Sequence, residues 1–237
     1  MAASIDLKVL STTAMKMVFE ELSPRFERET GDRLSVSLGP STQLEKRLAE
    51  GEAADVAIIT TAGARELIAR GKIVTGSEVL VARSSIGIAV PKGTPKPDIS
   101  SVEGFKRALL AAKSIAVSKP VGGGQSGAHM AKVFDDLGIA EAMRAKAKYG
   151  AGGAAGLAGL IVLRGEAEIG IQQMAELIAV SGIDVVGPLP KDLQSVTPFT
   201  AAILVSASHP EAGRALIAFL TTPAAKSVIK ARGLEPV

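Results

Sequence analysis

The sequence predicts an α/β fold in which two lobes are joined by two strands that act as a hinge. Short β-branched runs alternate with longer amphipathic stretches along the 237 residues, which is typical of a parallel sheet covered by helices. Two β-rich stretches, Val79–Val90 and Ser195–Ser206, are too long for ordinary strands and should cross between the lobes. We therefore expect lobe one to comprise residues 1–82 and 193–237, and lobe two to comprise residues 83–192.

In lobe one, short apolar strands alternate with amphipathic helices. Gly31 and Gly71 stand where the first and third helices should end. The predicted strands are Ile5–Leu10, Leu34–Leu38 and Ala54–Thr60, and the predicted helices are Ala14–Thr30, Gln43–Glu50, Ala62–Ala69, Pro210–Leu220 and Pro223–Arg232.

A second series of helices and strands builds lobe two. The predicted helices are Val102–Leu110, Gly127–Leu137 and Ala154–Arg164, and the predicted strands are Ser114–Ser118 and Ala167–Gln172, followed by the extended segment Gly182–Leu189. A single doubly wound domain is the alternative architecture.

The composition excludes several classes of function. Aromatic residues make up 3% of the chain, with one tyrosine and no tryptophan, so the stacking platforms of single-strand nucleic-acid binders are absent. Basic and acidic residues are interleaved and the net charge is only +3, which also argues against a nucleic-acid partner. The chain has no cysteine, which excludes disulfides and thiol nucleophiles. We expect neither a cofactor nor a metal site.

The N-terminal residues Met1–Ser4 lack the basic and apolar regions of a signal peptide. Two locations fit this observation: the cytosol, or the periplasm if the sequence is a processed form that starts with an added methionine. A first strand within a few residues of the start favours the periplasm.

Four loops predict an anion site, because each follows a strand and opens a helix. Ligands of open α/β sheets lie beyond the carboxyl ends of the strands, and helix N-termini offer unpaired N–H donors. The loops are Ser11–Thr13, Gly39–Thr42, Gly122–Gly127 and Gly150–Ala155. Any one of these hydroxyls could instead be a helix cap, and Thr42-x-x-Glu45 fits a capping box.

The third loop also contains the dinucleotide-binding pattern G-x-G-x-x-G, from Gly122 to Gly127. That fold needs an acid about 20 residues later, where the chain reads Lys146–Gly150 without one. An anion-holding nest is the better interpretation. The two histidines, His129 and His209, lack a carboxylate partner nearby in sequence, so we expect no catalysis.

In order along the chain, several segments resemble the molybdate-type solute-binding proteins of ABC importers, which have the type II periplasmic-binding-protein fold. The match covers nearly the whole chain, and the order and spacing of the motifs make it specific. The segments are Val9–Thr13, the Gly51–Val56 version of G-x-x-A-D-V, the Arg164–Ile171 version of G-E-A-x-x-G-I, and Phe219–Ala225 with Gly233–Pro236.

This resemblance implies that Ser11 and Ser41 donate hydroxyls to the ligand, and that Ser126 and Ala155 donate backbone N–H groups. The neighbouring Thr12, Thr42 and Gly127 belong to the same ligand loops. Two departures from the family concern Gln173, which replaces a tyrosine, and His129, which replaces an aromatic residue. Both add an acceptor to a cavity of donors, so a small carboxylate or a phosphate-bearing metabolite becomes plausible beside molybdate and tungstate.

The sequence thus predicts a monomeric periplasmic solute-binding protein of an ABC importer. It should close about its hinge on a small anion between the lobes and deliver that anion to a membrane permease. The alternatives are the ligand-sensing domain of a transcriptional regulator and an enzyme on the same fold, which would lack a recognisable nucleophile–base pair.

Overall fold

The computed structural model describes residues 4–150 and 156–237. The strands in these ranges are β1 Asp6–Thr12, β2 Arg33–Gly39, β3 Val56–Thr60, β4 Val79–Pro91, β5 Ile115–Ser118, β6 Ala147–Gly150, β7 Ile169–Gln173, β8 Ile183–Pro188, β9 Val196–Ile203 and β10 Glu235–Pro236. The helices are α1 Lys16–Thr30, α2 Ser41–Ala49, α3 Thr61–Ala69, α4 Val102–Ala111, α5 Gln125–Asp136, α6 Ala140–Lys146, α7 Ala158–Leu163, α8 Met174–Ile178, α9 Pro210–Leu220 and α10 Pro223–Ala231.

The chain forms two compact units. Unit one consists of the residues up to Arg83 together with those from Thr197 onward, and unit two is Ser84–Val196. The chain passes from unit one to unit two within β4 and returns at the start of β9. The lobe boundaries expected from the sequence fell at 82/83 and 192/193, and closure about a hinge stays a prediction.

In unit one, β1 lies between β2 and β3 and runs parallel to both, while β9 runs antiparallel to β3. The helices α2 and α3 cover one face of these strands. The apolar residues that pack there include Leu10, Leu44, Ile59 and Leu67. In the parallel register, Thr12 lies beside Gly39 and Ser11 lies beside Ile58, so three strands end at a common edge.

In unit two, β5 lies between β6 and β7 and is parallel to both, and β4 is antiparallel to β7 and β8. Phe105, Met130, Phe134 and Ile171 belong to the core that packs against this sheet. The register places Ser118 beside Gly150, and these strands again share one carboxyl edge.

The structure adds short elements that the sequence pattern does not reveal. The segment after α5 forms α6 and then β6, whose residues are mostly charged or exposed and therefore lack a clear apolar period. A turn of 3₁₀ helix over Thr13–Met15 precedes α1, so the first helix starts at Lys16 rather than Ala14. The helix expected from Ala154 begins at Ala158, and Ala154 itself lies outside the described residues.

Across the two described ranges, every helix is too short or too polar to cross a bilayer.

Asp55 ties three segments of unit one together. Its side chain is 3% exposed, and its two carboxylate oxygens accept bonds from the Lys8 N–H at 2.9 Å and the His209 N–H at 2.8 Å. This carboxylate therefore satisfies donors at the start of β1 and just before α9.

We expect Asp55→Ala to lower the free energy of unfolding by about 2–6 kcal/mol, because two backbone donors lose their partners at about 1–3 kcal/mol each. Urea unfolding measures this change. The matched control is Asp136→Ala, which removes an exposed ion pair with Lys132 and should cost less than about 1 kcal/mol. Equal losses in the two variants would contradict the role assigned to Asp55.

Candidate functional site

The carboxyl edge of unit one carries a group of buried hydroxyl side chains. Ser11 is 0% exposed, and Thr12 and Ser41 are also buried. Thr12 pairs with Gly39 across the parallel strands, and Ser41 begins α2 two residues later. The structure therefore brings these three predicted ligand residues to the same edge.

Two further hydroxyls at this edge lack hydrogen-bond partners within the described part of the chain. They are the buried Oγ1 atoms of Thr13 and Thr42. The Ser11 hydroxyl makes only a long bond, 3.4 Å, to the carbonyl oxygen of Thr12. A buried hydroxyl without a partner costs about 1–3 kcal/mol, which makes these two atoms candidates for hydrogen bonds to an oxygen-rich ligand. Thr42 was among the predicted ligand residues, whereas Thr13 was noted only as part of its loop.

The capping box expected at Thr42 and Glu45 is wrong. The helix α2 is preceded by Pro40 and has no side-chain cap. Glu45 instead accepts a bond from the Thr60 hydroxyl at 2.7 Å, and Thr60 in turn caps α3 by accepting from the Gly63 N–H. Thr60, at the carboxyl end of β3, thus connects α2 with α3 through these two hydrogen bonds.

The carboxyl edge of unit two contains the predicted residues Ser126 and Gly127, both of which are buried at the start of α5. The Ser126 hydroxyl lies 3.4 Å from the hydroxyl of Ser118, a buried residue at the end of β5. Sequence analysis missed Ser118, although it is the polar residue that closes an apolar strand. The predicted ligand residue Ala155 lies outside the described residues.

The end of β7 carries two buried amide side chains and a carboxyl group. Gln173, which was predicted as a ligand residue, is buried as the last residue of β7. Its neighbour Gln172 accepts a bond from the Ala158 N–H at 2.7 Å and donates one to the carboxyl group of Glu176. Burial raises the pKa of Glu176 to about 7, although the bond from Gln172 acts in the opposite direction. Sequence analysis missed Glu176, and its signal was a single acid within the otherwise apolar segment Met174–Ile178.

His129 makes a bond inside unit two. Its Nε2 atom lies 2.7 Å from the carbonyl oxygen of Leu193. A carbonyl oxygen only accepts, so Nε2 carries a proton and only Nδ1 is left for another partner. A ligand role for His129 stays a prediction.

The molybdate-type solute-binding fold expected from the sequence is confirmed by comparison with known proteins. Residues 7–235 match the family of bacterial extracellular solute-binding proteins. The chain belongs to this family. A solved periplasmic molybdate-binding protein of Azotobacter vinelandii has the same type II fold, with a TM-score of 0.80, 21% identity and coverage of 96% of this chain and 98% of that one. Membership in this family indicates that the chain binds a solute.

Two relatives among curated proteins have names that state different functions. A protein of a Pseudomonas species named aconitate isomerase is 36% identical over 98% of this chain and 88% of its own length. A molybdate-binding protein of Azotobacter vinelandii is 26% identical over 98% of this chain and 90% of its own length.

The expectation that this fold carries no catalysis is therefore wrong. The relative at 36% identity has the name of an enzyme and aligns with nearly the whole chain. That expectation rested on the lack of a nucleophile paired with a base in the sequence. A reaction that only moves a proton needs no nucleophile, so the absence of such a pair does not exclude it.

Gly127 allows α5 to approach the end of β5. A Cβ atom at this position would lie 2.2 Å from the carbonyl oxygen of Lys119 and 2.7 Å from that of Ser118, and both are backbone atoms. We expect Gly127→Ala to displace the first turn of α5 together with Ser126, lowering both the melting temperature and the affinity for anions. Thermal unfolding and calorimetry measure these two effects.

Ala128→Ser is the matched control, because Ala128 directly follows Gly127 in α5 and is exposed. It should leave the melting temperature and affinity unchanged. A Gly127→Ala variant that behaves like this control would show that the close approach of α5 to β5 is unimportant for binding.

Proposed function

We propose that this protein binds aconitate and interconverts its cis and trans isomers. The observation that carries the proposal is the 36% identity, over 98% of the chain, with a protein named aconitate isomerase. The similarity to the molybdate-binding relative is lower, at 26%. The replacement of the family's tyrosine by Gln173 also favours an organic anion, because an amide offers both a donor and an acceptor.

The polar groups of the two units suit a polycarboxylate. Aconitate is a propene with three carboxylates, each of which accepts several hydrogen bonds. The buried hydroxyls of Ser11, Ser41 and Ser126 are donors, and those of Thr13 and Thr42 need partners. Hydrogen bonds to an ionised group are worth about 1.5–3 kcal/mol each, so a few such donors can hold an anion without a paired lysine or arginine.

The isomerisation of aconitate can be a proton shift. A base removes a proton from the methylene carbon, and the electron pair is shared by the two terminal allylic carbons and the carboxylates attached to them. Return of the proton to the other end of the allylic system moves the double bond. Because both ends bear one carboxylate, the product is again aconitate, and the conformation in which it is held decides the isomer. This chemistry needs a group with a pKa near the working pH.

A second candidate function is the capture of an oxyanion, such as molybdate or tungstate, or of a phosphate-bearing metabolite, for an ABC importer. The molybdate-binding relative and the cluster of neutral hydroxyl donors favour it. For either function, membership in an extracellular solute-binding family supports a periplasmic location. We also expect a monomer that does not bind nucleic acid and that closes on its ligand.

One experiment separates the two candidates. Purified protein is incubated with cis-aconitate, and the trans isomer is followed by proton NMR. In parallel, the melting temperature is measured with cis-aconitate, trans-aconitate, citrate, phosphate, sulfate and molybdate, because a ligand at 100 times its dissociation constant adds about 2.7 kcal/mol. Conversion of cis- to trans-aconitate supports the proposal. Stabilisation by molybdate alone, without conversion, would overturn it in favour of the second candidate.

If residues of both units contact the ligand, Ser41→Ala and Ser126→Ala should each weaken the binding of trans-aconitate. One hydrogen bond to a charged ligand is worth about 1.5–3 kcal/mol, which is roughly tenfold or more in affinity. Calorimetry measures the affinities. Ser227→Ala, which removes an exposed hydroxyl in α10, is the control and should bind normally.

A Ser11→Ala/Ser41→Ala double variant with full affinity would exclude the proposed role of the unit-one edge. A loss confined to one unit's variants would show that the other unit does not contribute these hydroxyls.

A further inference from the structure

Glu176 is an acid in apolar surroundings at the end of a central strand. It lies in the first turn of α8, three residues after Gln173 closes β7, and its helix neighbours are Met174, Ala175, Leu177 and Ile178. The residue as a whole is half-buried, and burial of its carboxyl group raises its pKa. Strand β7 ends at the same edge as β5, which carries Ser118.

Gln172 fixes the position of this carboxyl group. Its side chain is 3% exposed, and its carbonyl oxygen accepts from the Ala158 N–H at 2.7 Å. Its amide donates to the Glu176 carboxyl group. One buried amide thus connects the start of α7 with the carboxyl group of Glu176.

The elements packed against α8 bring little charge to Glu176. Strand β7 and helix α7 contain no titratable side chain. Strand β8 carries Asp184, whose carboxylate accepts a bond from the Gly93 N–H. Within the described ranges, burial is the main influence on the Glu176 carboxyl and the Gln172 bond is the second, with no charged neighbour contributing. Its raised pKa is therefore a property of its apolar environment.

Two other shielded acids in the described part of the chain accept hydrogen bonds that stabilise the fold. Asp55 binds the Lys8 and His209 N–H groups, one with each oxygen. Glu45, whose pKa burial also raises, accepts from the Thr60 hydroxyl between α2 and α3. Among the residues that the structure describes, the Gln172 side chain is the one donor to Glu176, which therefore retains capacity for a proton.

We infer that the carboxyl group of Glu176 is the general base and acid that moves the proton during the proposed isomerisation. This inference rests on the proposed function. The carboxylate takes a proton from the methylene carbon of aconitate, forming an O–H bond while the C–H bond breaks and its electron pair enters the allylic system. The same carboxyl group then returns the proton to the opposite allylic carbon. No oxidant, reductant or further reactant is needed.

The test compares Glu176→Gln and Glu176→Asp with the wild-type protein. Two rates are measured in D₂O by NMR: the formation of trans- from cis-aconitate, and the uptake of deuterium at carbon. General acid–base groups contribute about 10²–10⁴-fold, so Glu176→Gln should lower both rates by at least about a hundredfold. Calorimetry should show that trans-aconitate still binds, because the amide adds no negative charge. Glu176→Asp keeps the carboxyl group on a shorter side chain, and its rates should fall between those of the wild-type protein and Glu176→Gln.

Glu141→Gln is the control, because Glu141 is exposed on α6 of the same unit. It should retain wild-type rates. If the wild-type protein isomerises aconitate and Glu176→Gln does so equally fast, the inference is overturned while the proposed function stands. If the wild-type protein binds aconitate without isomerising it or exchanging deuterium, both the proposed function and this inference are overturned. Full rates in Glu176→Asp would also overturn the inference, since a displacement of about 1 Å can cost a hundredfold.

The pH dependence of the isomerisation rate is a further test, because a purely structural role of Glu176 would leave it unchanged. The base must be ionised, so the wild-type rate should rise as the pH increases through about 7, where Glu176 titrates. Gln172→Leu removes the bond that lowers this pKa, so the acidic limb of the profile should shift to higher pH. An acidic limb unmoved by Gln172→Leu would show that another group controls the rate.

The burial of Glu176 also predicts a pH-dependent stability. Its pKa is about 7 in the folded protein and near 4.5 when unperturbed, so the folded state favours the protonated acid. The stability contributed by the protonated form is present below about pH 4.5 and is lost as the pH rises through about 7. The melting temperature of Glu176→Gln should therefore exceed that of the wild-type protein by more at pH 8 than at pH 5. An equal difference at both pH values would contradict the burial of this carboxyl group.

Discussion

Parallel pairing of the central strands is the constraint on which the candidate site depends. In unit one the register sets Thr12 beside Gly39, and in unit two it sets Ser118 beside Gly150. Parallel strands run in the same direction, so each sheet collects its carboxyl ends at one edge, and the polar residues that terminate the strands meet there. The apolar strand interiors hold this register, because a slip of one residue would turn the buried side chains outward.

The polar groups at these edges are chiefly neutral, and this limits which anions they can hold. Hydroxyls and amides bind an anion through directed hydrogen bonds, so the ligand must present oxygens in matching positions. The buried Oγ1 atoms of Thr13 and Thr42 could bond to a ligand with many oxygens. Hydroxyl and amide groups suit a carboxylate as well as a tetrahedral oxyanion.

The α/β fold and the family could be predicted from the sequence, because alternating apolar runs and ordered family motifs are local signals. The hydroxyls of Ser11, Thr12, Ser41 and Ser126 could also be predicted, since each lies at a strand end or helix start. The raised pKa of Glu176 could not be predicted, because it depends on burial by α7, β7 and β8, which no local pattern reveals. The prediction of a capping box at Glu45 was wrong for the same reason, because the actual partner of Glu45 is Thr60, which is 15 residues away in sequence.

The role proposed for Glu176 sets two opposing demands on its carboxyl group. To bind the ligand it should be neutral, because an ionised carboxylate repels the ligand's own carboxylates. To remove a proton from carbon it must be ionised. A pKa of about 7 satisfies both, since each form is then populated near neutral pH and neither is costly to reach. A receptor fold could thus acquire proton-transfer chemistry through a single shielded glutamate, leaving its ligand-binding hydroxyls in place. Burial of Glu176 within unit two supplies that shielding, so the packing of α8 contributes to the proposed chemistry.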